Sequence, residues 1–440
     1  MILLTSKPGL TAVPSSNDLP LSSGTTVPGV RLGLKENWHQ FGLLVLINIF
    51  VGGMVGLERT IVPFIGTETF GISSEVVVFS FIIAFGIVKA LTNLASGALA
   101  DRFTRKTMLV SGWALGLPVP FMLAYGPSWN WIVAANVLLG VSQGLAWSMT
   151  VNMKIDLVGP KRRGLAMGLN EAAGYGAVGL TALLTGYIAA HYGLRPEPFY
   201  VGIIYAVLGF LLSVFLVRDT RVYAELEASL HDQGHKTGRE PSMWRIAIET
   251  SWRDKTLFSA SQTGLVNNLN DGMSWGVFPL LFAANGVGLE GIGLIKAIYP
   301  VIWGAGQVYT GFLADRFGRK PLIVAGMFIQ ALGLVVIGFG LAFPFTSGMI
   351  GSSLLGVGTA MVYPALLAVV GDKAHPAWRA TSVGVYRFWR DIGYAVGALM
   401  AGVVANALGL VWSVHIAGLL TLASGLLAWK LMRETLHSKT

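Results

Sequence analysis

The chain alternates between long apolar stretches and short polar connections over most of its length. A run of roughly 20 apolar residues is the length at which a helix crosses a hydrocarbon core about 30 Å thick. Twelve such runs occur, at residues 41–63, 75–99, 107–125, 129–153, 164–190, 198–217, 257–286, 291–314, 321–341, 345–371, 380–406 and 410–432. We therefore predict an all-α membrane protein with twelve transmembrane helices.

Two long polar segments interrupt this pattern. Residues 1–38 are rich in Ser, Thr, Pro and Gly and lack the features of a cleavable signal, which predicts a flexible cytoplasmic tail. Residues 218–256 separate the sixth and seventh spans and predict a cytoplasmic linker. The remaining chain divides into an N-terminal six-helix bundle at 39–217 and a C-terminal six-helix bundle with a short cytoplasmic tail at 257–440.

Composition and charge placement support a membrane protein. Charged residues make up 12% of the chain, against about 25% in soluble domains. The net charge is +9, but the Lys and Arg residues lie in connections on one side, and the other side holds only Arg195. Because positive residues mark the cytoplasmic side, we expect both termini inside, in a bacterial inner membrane, and no nucleic-acid partner. The absence of cysteine excludes disulfides and thiolate metal sites.

One ten-residue segment occurs twice. The copies read Gly97-Ala-Leu-Ala-Asp-Arg-Phe-Thr-Arg-Lys106 and Gly311-Phe-Leu-Ala-Asp-Arg-Phe-Gly-Arg-Lys320, and 311 − 97 gives a shift of 214 residues. Leu-Leu-Gly-Val recurs from 138 to 354 at a shift of 216. Such internal repeats indicate two bundles built alike.

The repeated segment resembles the hallmark loop between helices 2 and 3 of the major facilitator superfamily of secondary transporters, which reads G-x-L-A-D-R-x-G-R-K. The second copy matches throughout, and the first departs at Thr104, where Gly is usual. The resemblance covers most of the chain. It implies two pseudo-symmetric six-helix bundles facing each other across a cavity, with helices 1, 4, 7 and 10 lining the cavity and helices 2, 5, 8 and 11 between the halves.

The resemblance also implies that the hallmark loops are conformational latches, whose aspartates engage the opposite half when the protein faces outward. Asp156 and Asp372, at cytoplasmic helix ends, are expected to pair with the hallmark arginines. The predicted latch residues are Asp101, Arg102, Arg105, Asp315, Arg316, Arg319, Asp156 and Asp372.

Ionisable side chains within the spans are candidates for transport chemistry, because each costs at least about 2.5–3.5 kcal/mol at bilayer depth. Burial disfavours an ionised acid and a nearby cation favours it, so changing surroundings can load and release a proton. Asp271 is the first candidate because no cation lies within its own helical turn; Glu58 and Glu171 follow. Each of the three has the alternative role of a satisfied structural acid.

Other polar and aromatic residues in the spans are candidates for substrate contact or gating. They are Arg59, Lys89, Gln143, Trp147, Tyr175, Asn267, Asn270, Tyr363, Arg387, Arg390, Asp391 and Tyr394. Helical spacing places Arg387, Arg390 and Asp391 on one face, where Asp391 can pair with Arg387 and leave Arg390 free. Lys296, near the outer end of helix 8, is expected to snorkel outward.

Glu171 and Arg387 occupy equivalent positions in the two halves, since 387 − 171 is 216. We predict that they lie close together across the interface and form a gate; a permanent salt bridge between the bundles is the alternative.

These patterns predict a monomeric, non-enzymatic secondary transporter that moves a small solute by alternating access, with proton-coupled export as the leading mode. No phosphate-binding loop for ATP is present, so the proton gradient is the expected energy source and no cofactor is expected. Gly140 stands where related exporters often carry Arg, and the fifth span lacks proline. The alternatives are uptake or exchange of an organic anion, export of a metal ion, and a non-transporting sensor or scramblase.

Overall fold

The computed structural model describes residues 31–158, 163–224, 226, 242–374 and 378–436, without the side chains of 97, 98, 100–102, 163–165, 308, 315, 379 and 380. Twelve long helical segments dominate this part of the chain. In order, α1 to α12 are Trp38–Gly56, Ser80–Arg102, Arg105–Gly116 continued by Val119–Tyr125, Trp129–Val158, Arg163–Tyr192, Tyr200–Phe215, Lys255–Ala284, Leu289–Phe317, Arg319–Phe339, Pro344–Lys373, Arg379–Leu408 and Leu410–Leu431.

Nine of these segments are long and apolar enough to cross a membrane on length and composition alone. The other three are α2, α7 and α8, and all three place Lys or Asp side chains in the interior of the bundle. Neighbouring helices supply the polar partners that lipid cannot offer to such side chains. The all-α membrane fold predicted from the sequence is confirmed.

Two helix pairs join the N-terminal half, α1 to α6, to the C-terminal half, α7 to α12. Helix α5 packs along α8, and α2 packs along α11. Glycine permits this closeness: a methyl group at Gly186 of α5 would lie 3.2 Å from the Cα atom of Gly293 in α8. These are the four helices that the resemblance places between the halves.

We call the face at which α2 and α8 end and α3 and α9 begin the basic face, and the other end the opposite face. At the opposite face the halves touch. The Asn406 amide in α11 donates to Ser74 Oγ at 3.0 Å and accepts the backbone N–H of Glu75 at 2.8 Å. His191 Nε2 of α5 lies 3.6 Å from Glu290 Oε1 of α8.

Toward the basic face there is open space beside α5 and α11. A methyl group added at Gly168 or at Gly384 would meet no atom within 4 Å. Gly168 shares a helical face with Glu171 and Gly384 with Arg387, at a spacing of three residues. Among the described residues, the halves are thus in contact at the opposite face, and open space borders α5 and α11 toward the basic face.

The basic face carries the same polar network in each half. Arg105 Nε lies 3.3 Å from Asp156 Oδ2, which also accepts the Thr220 hydroxyl at 2.7 Å. Asp219 accepts the backbone N–H of Lys106 at 2.9 Å, so its carboxylate caps α3.

In the second half Arg319 Nε donates to Asp372 Oδ2 at 2.5 Å, and the Thr435 hydroxyl donates to the same oxygen at 3.0 Å. Glu434 caps α9 by accepting the backbone N–H groups of Arg319 and Lys320. Partial burial acts to raise the pKa of Glu434, but these and two further backbone hydrogen bonds outweigh it and hold the pKa below its usual value.

Thr104 and Gly318, where the two hallmark segments differ, adopt different turns. Gly318 has a φ of +96°, a conformation that favours glycine. Thr104 has a φ of −71°, and its hydroxyl accepts the backbone N–H of Thr107 at 3.1 Å. The threonine therefore caps α3 with its side chain and does not need glycine geometry.

Candidate functional site

A break in the first span positions its two charged residues. Helix α1 ends at Gly56, and the chain resumes as Val62–Phe64 and a π-helical turn Ile65–Thr69. Pro63 has no N–H to donate to the carbonyl of Arg59, so a regular helix cannot run through this point. Glu58 and Arg59 lie in the break, buried within the bundle.

Arg59 forms an ion pair with Asp271 of α7 and so connects the two halves. Its Nη1 atom bonds Asp271 Oδ1, and its Nη2 atom donates to Oδ2 at 3.1 Å. The guanidinium lies 4.3 Å from the ring centroid of Trp275. Asp271 has no cation within its own helical turn, and the structure provides one from the break after α1; its role as a proton carrier stays a prediction.

Glu58, beside Arg59, has no partner for either carboxylate oxygen among the described residues. The side-chain oxygen of Asn136 in α4 is also buried without a donor. An ionised carboxylate without a donor is costly when it is buried, whereas the protonated form is neutral. Glu58 is therefore the acid whose surroundings best suit a bound proton.

A second charged cluster lies between α2 and α11. Asp391 accepts hydrogen bonds from Asn93 and, at 3.1 Å, from Arg390 Nη1. Lys89 Nζ lies 3.9 Å from Asp391 Oδ1. The sequence-based pairing of Asp391 with Arg387 is wrong, because α11 turns Asp391 toward α2 and Arg390 shares its carboxylate.

Aromatic rings surround Arg390 and extend toward α5. Arg390 Nη2 donates to the Tyr175 hydroxyl at 3.1 Å, and the guanidinium lies 4.2 Å from the Tyr363 ring centroid. Tyr175 stacks on Trp303 of α8 with centroids 3.5 Å apart, and Trp147 lies 5.1 Å away. Trp303 was missed because a tryptophan within an apolar run carries no signal of its own.

The Tyr394 ring connects the two charged clusters. Its centroid lies 5.1 Å from Lys89 Nζ and 6.0 Å from the guanidinium carbon of Arg59. Lys296 of α8 is buried and donates to the backbone oxygen of Ser274 at 2.8 Å. The predicted outward snorkelling of Lys296 is therefore wrong, because α8 directs it toward α7.

Glu171 of α5 accepts hydrogen bonds from Trp147 Nε1 at 3.1 Å and Asn170 Nδ2 at 3.0 Å through Oε1. Its Oε2 atom is buried without a partner. Among the described contacts Glu171 makes no ion pair with Arg387, so the predicted gate is not formed in this structure. The physical reason is that α5 packs on α8 while α11 packs on α2.

Lys154 is a buried charge that the sequence interpretation missed. The predicted fourth span ended at residue 153, but α4 continues to Val158 and places Lys154 in the interior. Its ammonium donates to the backbone oxygen of Leu44 at 3.3 Å. The sequence does contain a signal for the longer helix, because apolar residues resume at Ile155 after Lys154.

Three other candidates make hydrogen bonds within one half. Gln143 Nε2 donates to the backbone oxygen of Val51 at 2.8 Å. Asn267 accepts Gln330 Nε2 at 2.9 Å, and Asn270 Nδ2 donates to Gln330 Oε1 at 3.1 Å. In α7, Asn267 and Asn270 therefore point toward α9 and away from the centre, where Asp271 lies.

The latch candidates are described only in part. Arg105 with Asp156 and Arg319 with Asp372 lie together as predicted, and the Arg316 guanidinium lies 5.4 Å from the Phe317 ring centroid. The side chains of Asp101, Arg102 and Asp315 lie outside the described part of the structure. The latch role itself stays a prediction. Among the described side chains, no group of three or more His, Asp or Glu is arranged to hold a metal ion.

Two similar six-helix halves meet at a centre of buried ion pairs. The sequence model of the Major Facilitator Superfamily matches residues 43–266 and 261–440, and the chain belongs to that superfamily. It is therefore an integral membrane protein and a secondary transporter of small molecules, not an enzyme.

Named relatives are similar over most of their length. Multidrug resistance protein MdtG of Salmonella choleraesuis is 24% identical over 365 residues, which cover 80% of this chain and 85% of the relative. The protein of the same name from Citrobacter koseri is 25% identical over 370 residues, covering 81% and 86%. The crystal structure of a POT family transporter in complex with 5-aminolevulinic acid has a TM-score of 0.69 at 13% identity, over 88% of this chain and 95% of that chain. The latter similarity shows the fold alone.

Proposed function

We propose that the protein is a proton-coupled exporter of small, drug-like solutes that works as a monomer. It uses the proton gradient and no cofactor, and it lies in a bacterial inner membrane with its basic face and both termini in the cytoplasm. The names of the relatives support export of drug-like solutes. The placement of Lys and Arg supports the orientation.

The observation that carries proton coupling is the position of Glu58. Its unpartnered carboxyl group follows the end of α1 and directly precedes Arg59, whose ion pair with Asp271 joins the halves. An ionised carboxylate without a partner is costly in a dry interior. In this conformation, closed to the outside, Glu58 accordingly holds a proton.

Release of that proton toward the cytoplasm creates a second anion next to Arg59. Glu58 then competes with Asp271 for the guanidinium, which weakens the connection between the halves. A solute bound from the cytoplasm can then be carried to the outward-open state, in which a new proton reaches Glu58. Proton entry and solute exit are thus coupled through the ion pair of Arg59 and Asp271.

The substitution Glu58→Gln tests this scheme. Glutamine has the size and the neutral charge of the protonated glutamic acid. The variant is therefore expected to bind solute and to exchange solute on one side of the membrane for solute on the other. It should lose about a hundredfold or more in proton-driven flux, in the range of a lost proton-transfer group. Exposed Glu68, substituted by Gln, is the matched control and should behave as the wild type.

The measurement uses proteoliposomes with a pH-sensitive dye in the lumen and a panel of cationic, anionic and zwitterionic fluorescent drugs. An exchanged solute should enter as lumenal protons leave, so the lumen should alkalinise with the wild type and Glu68→Gln but not with Glu58→Gln. Uptake that persists unchanged after nigericin collapses the pH gradient contradicts proton coupling.

A further inference from the structure

Besides Glu58 and Arg59, two further charged groups at the centre of the protein have buried atoms without a hydrogen-bond partner among the described residues. Glu171 Oε2 is buried without a donor, although Oε1 accepts from Trp147 and Asn170. Arg390 Nε is buried without an acceptor, although its other nitrogens bond Asp391 and Tyr175. Buried polar atoms without partners are costly, so each marks a position where a ligand atom can bind.

A wall of aromatic rings connects these two positions. Tyr175 lies one helical turn after Glu171, and its hydroxyl bonds Arg390 at 3.1 Å. Its ring stacks on Trp303, and Tyr363 lies below the Arg390 guanidinium. Such rings bind a flat apolar group and also stabilise an ammonium ion against their faces.

The two ends of this wall differ in charge. At the Arg390 end, Lys89 and Arg390 share the single carboxylate of Asp391. At the Glu171 end the nearby cation Lys154 donates to the Leu44 backbone oxygen and, among the described contacts, makes no ion pair with the carboxylate. One end therefore offers a cation and the other an anion.

Among the described residues, open space borders both charged ends of the wall toward the basic face. The positions one turn before Glu171 and before Arg387, namely Gly168 and Gly384, border open space. The opposite face is closed by the contacts of Asn406 with Ser74 and Glu75. We expect a solute to enter from the basic face, on the side of these two glycines.

We propose that this bipolar site, formed by Glu171, Tyr175, Tyr363 and Arg390, selects zwitterionic solutes whose amine and acid groups are joined by a short aromatic spacer. The ammonium binds Glu171 Oε2 and the face of Tyr175, and the acid oxyanion binds Arg390 Nε beside Lys89. The inference rests on the proposed export function and names its substrate class. A plain organic cation leaves Arg390 Nε unsatisfied, and a plain anion leaves Glu171 Oε2 unsatisfied.

Three probes that share one skeleton test the inference. Para-aminomethylbenzoic acid is the zwitterion, its methyl ester keeps only the amine, and para-toluic acid keeps only the acid. Binding is measured on the purified full chain in detergent by quenching of tryptophan fluorescence, since Trp147 and Trp303 border the site. The zwitterion should bind about tenfold more tightly than either analogue, the ratio expected for one charge-assisted hydrogen bond.

The substitution Glu171→Gln identifies which end binds which group. Gln keeps an acceptor for Trp147 and Asn170, so the variant should fold. Zwitterion affinity should fall to that of para-toluic acid, whose own affinity should not change. Glu290→Gln, an exposed carboxylate of α8, is the control and should keep the wild-type ranking.

Equal affinities for the three probes, no zwitterion binding, or an unchanged ranking in Glu171→Gln overturns the inference. No proton gradient is present in these experiments, so their outcome is separate from proton coupling. Solute flux that does not depend on the pH gradient rejects the proposed energy source but does not affect the ranking of the three probes. An unexpected ranking of the probes rejects the bipolar site but does not affect proton coupling.

Discussion

At the scale of single residues, the chemistry of this transporter depends on which buried charges have partners. Arg59 and Asp271 form an ion pair across the halves, while neither carboxylate oxygen of the adjacent Glu58 has a partner among the described residues. A buried ion pair contributes little net stability, but loss of one partner leaves an uncompensated charge. The pair is thus suited to a conformational switch, in which the charge of Glu58 determines whether Arg59 stays bound to Asp271.

The first residue-scale prediction concerns this pair. Arg59→Gln and Asp271→Asn are each expected to lower the free energy of unfolding by about 3–5 kcal/mol, because each leaves a buried charge alone. The double variant should lose clearly less than the sum, since it leaves no charge. Chemical unfolding in detergent, analysed as a double-mutant cycle, measures the coupling.

The exposed pair of His191 and Glu290 is the control for that cycle, with a coupling of no more than about 1 kcal/mol. Losses at Arg59 and Asp271 that add within about 0.5 kcal/mol would show that the pair is not an energetic unit.

Sequence reasoning found most charged residues of the centre but few of their partners. Asp271, Glu58, Arg390 and Asp391 stand out because charge is costly in an apolar run. Spacing along one helix predicted pairs within that helix, such as Asp391 with Arg387, whereas the structure pairs residues from different helices. Which helices meet depends on the packing of the halves, which local periodicity does not encode.

At the scale of helices, the interface between the halves depends on close backbone contact. Helix α5 lies against α8 along most of its length, and a methyl group at Gly179 would come 2.7 Å from the backbone oxygen of Ala297. Three residues earlier, a methyl group at Gly176 would meet no atom within 4 Å. Close packing of α5 on α8 therefore requires glycine at position 179 but not at position 176.

Gly179→Ala is expected to push α5 away from α8 and to destabilise the protein by about 1–3 kcal/mol, as overpacking does. Gly176→Ala should be neutral or stabilising by up to about 1 kcal/mol, because alanine favours a helix. Thermal unfolding of both variants checks this, and equal melting temperatures would refute the close contact as a determinant of this conformation.

At helix scale the sequence predicted most spans but not their ends. The extension of α4 past residue 153 moved Lys154 from a loop into the interior, because charged residues near a helix end look like a boundary in a hydropathy pattern. The break at Glu58 and Arg59 was likewise hidden inside one predicted span, although Pro63 signalled it.

At the scale of the whole molecule, duplication is visible in the contacts as well as in the sequence. Asp219 caps α3 and Glu434 caps α9, and 434 − 219 gives a shift of 215 residues, within one residue of the other repeats. Thr220 and Thr435 then bond Asp156 and Asp372. A search for identical residues in the two halves does not find this pair of carboxylates, because one half has Asp and the other has Glu.

Such paired networks at the basic face, with contacts between halves at the opposite face, suit a molecule that opens at one end while it closes at the other. The chain has no cysteine, so introduced pairs of cysteines are unique labelling positions. Phe103 and Phe317 are exposed at the basic face, one in each half, and Tyr192 and Phe343 are exposed at the opposite face.

The most direct test of the account measures the distances between spin labels at these two pairs in the same set of conditions. Glu58→Gln, which mimics the protonated acid, should hold the basic-face pair far apart and the opposite-face pair close. The wild type at alkaline pH with bound zwitterion should show the reverse. Distances that stay fixed, or that lengthen together at both faces, contradict alternating access controlled by Glu58.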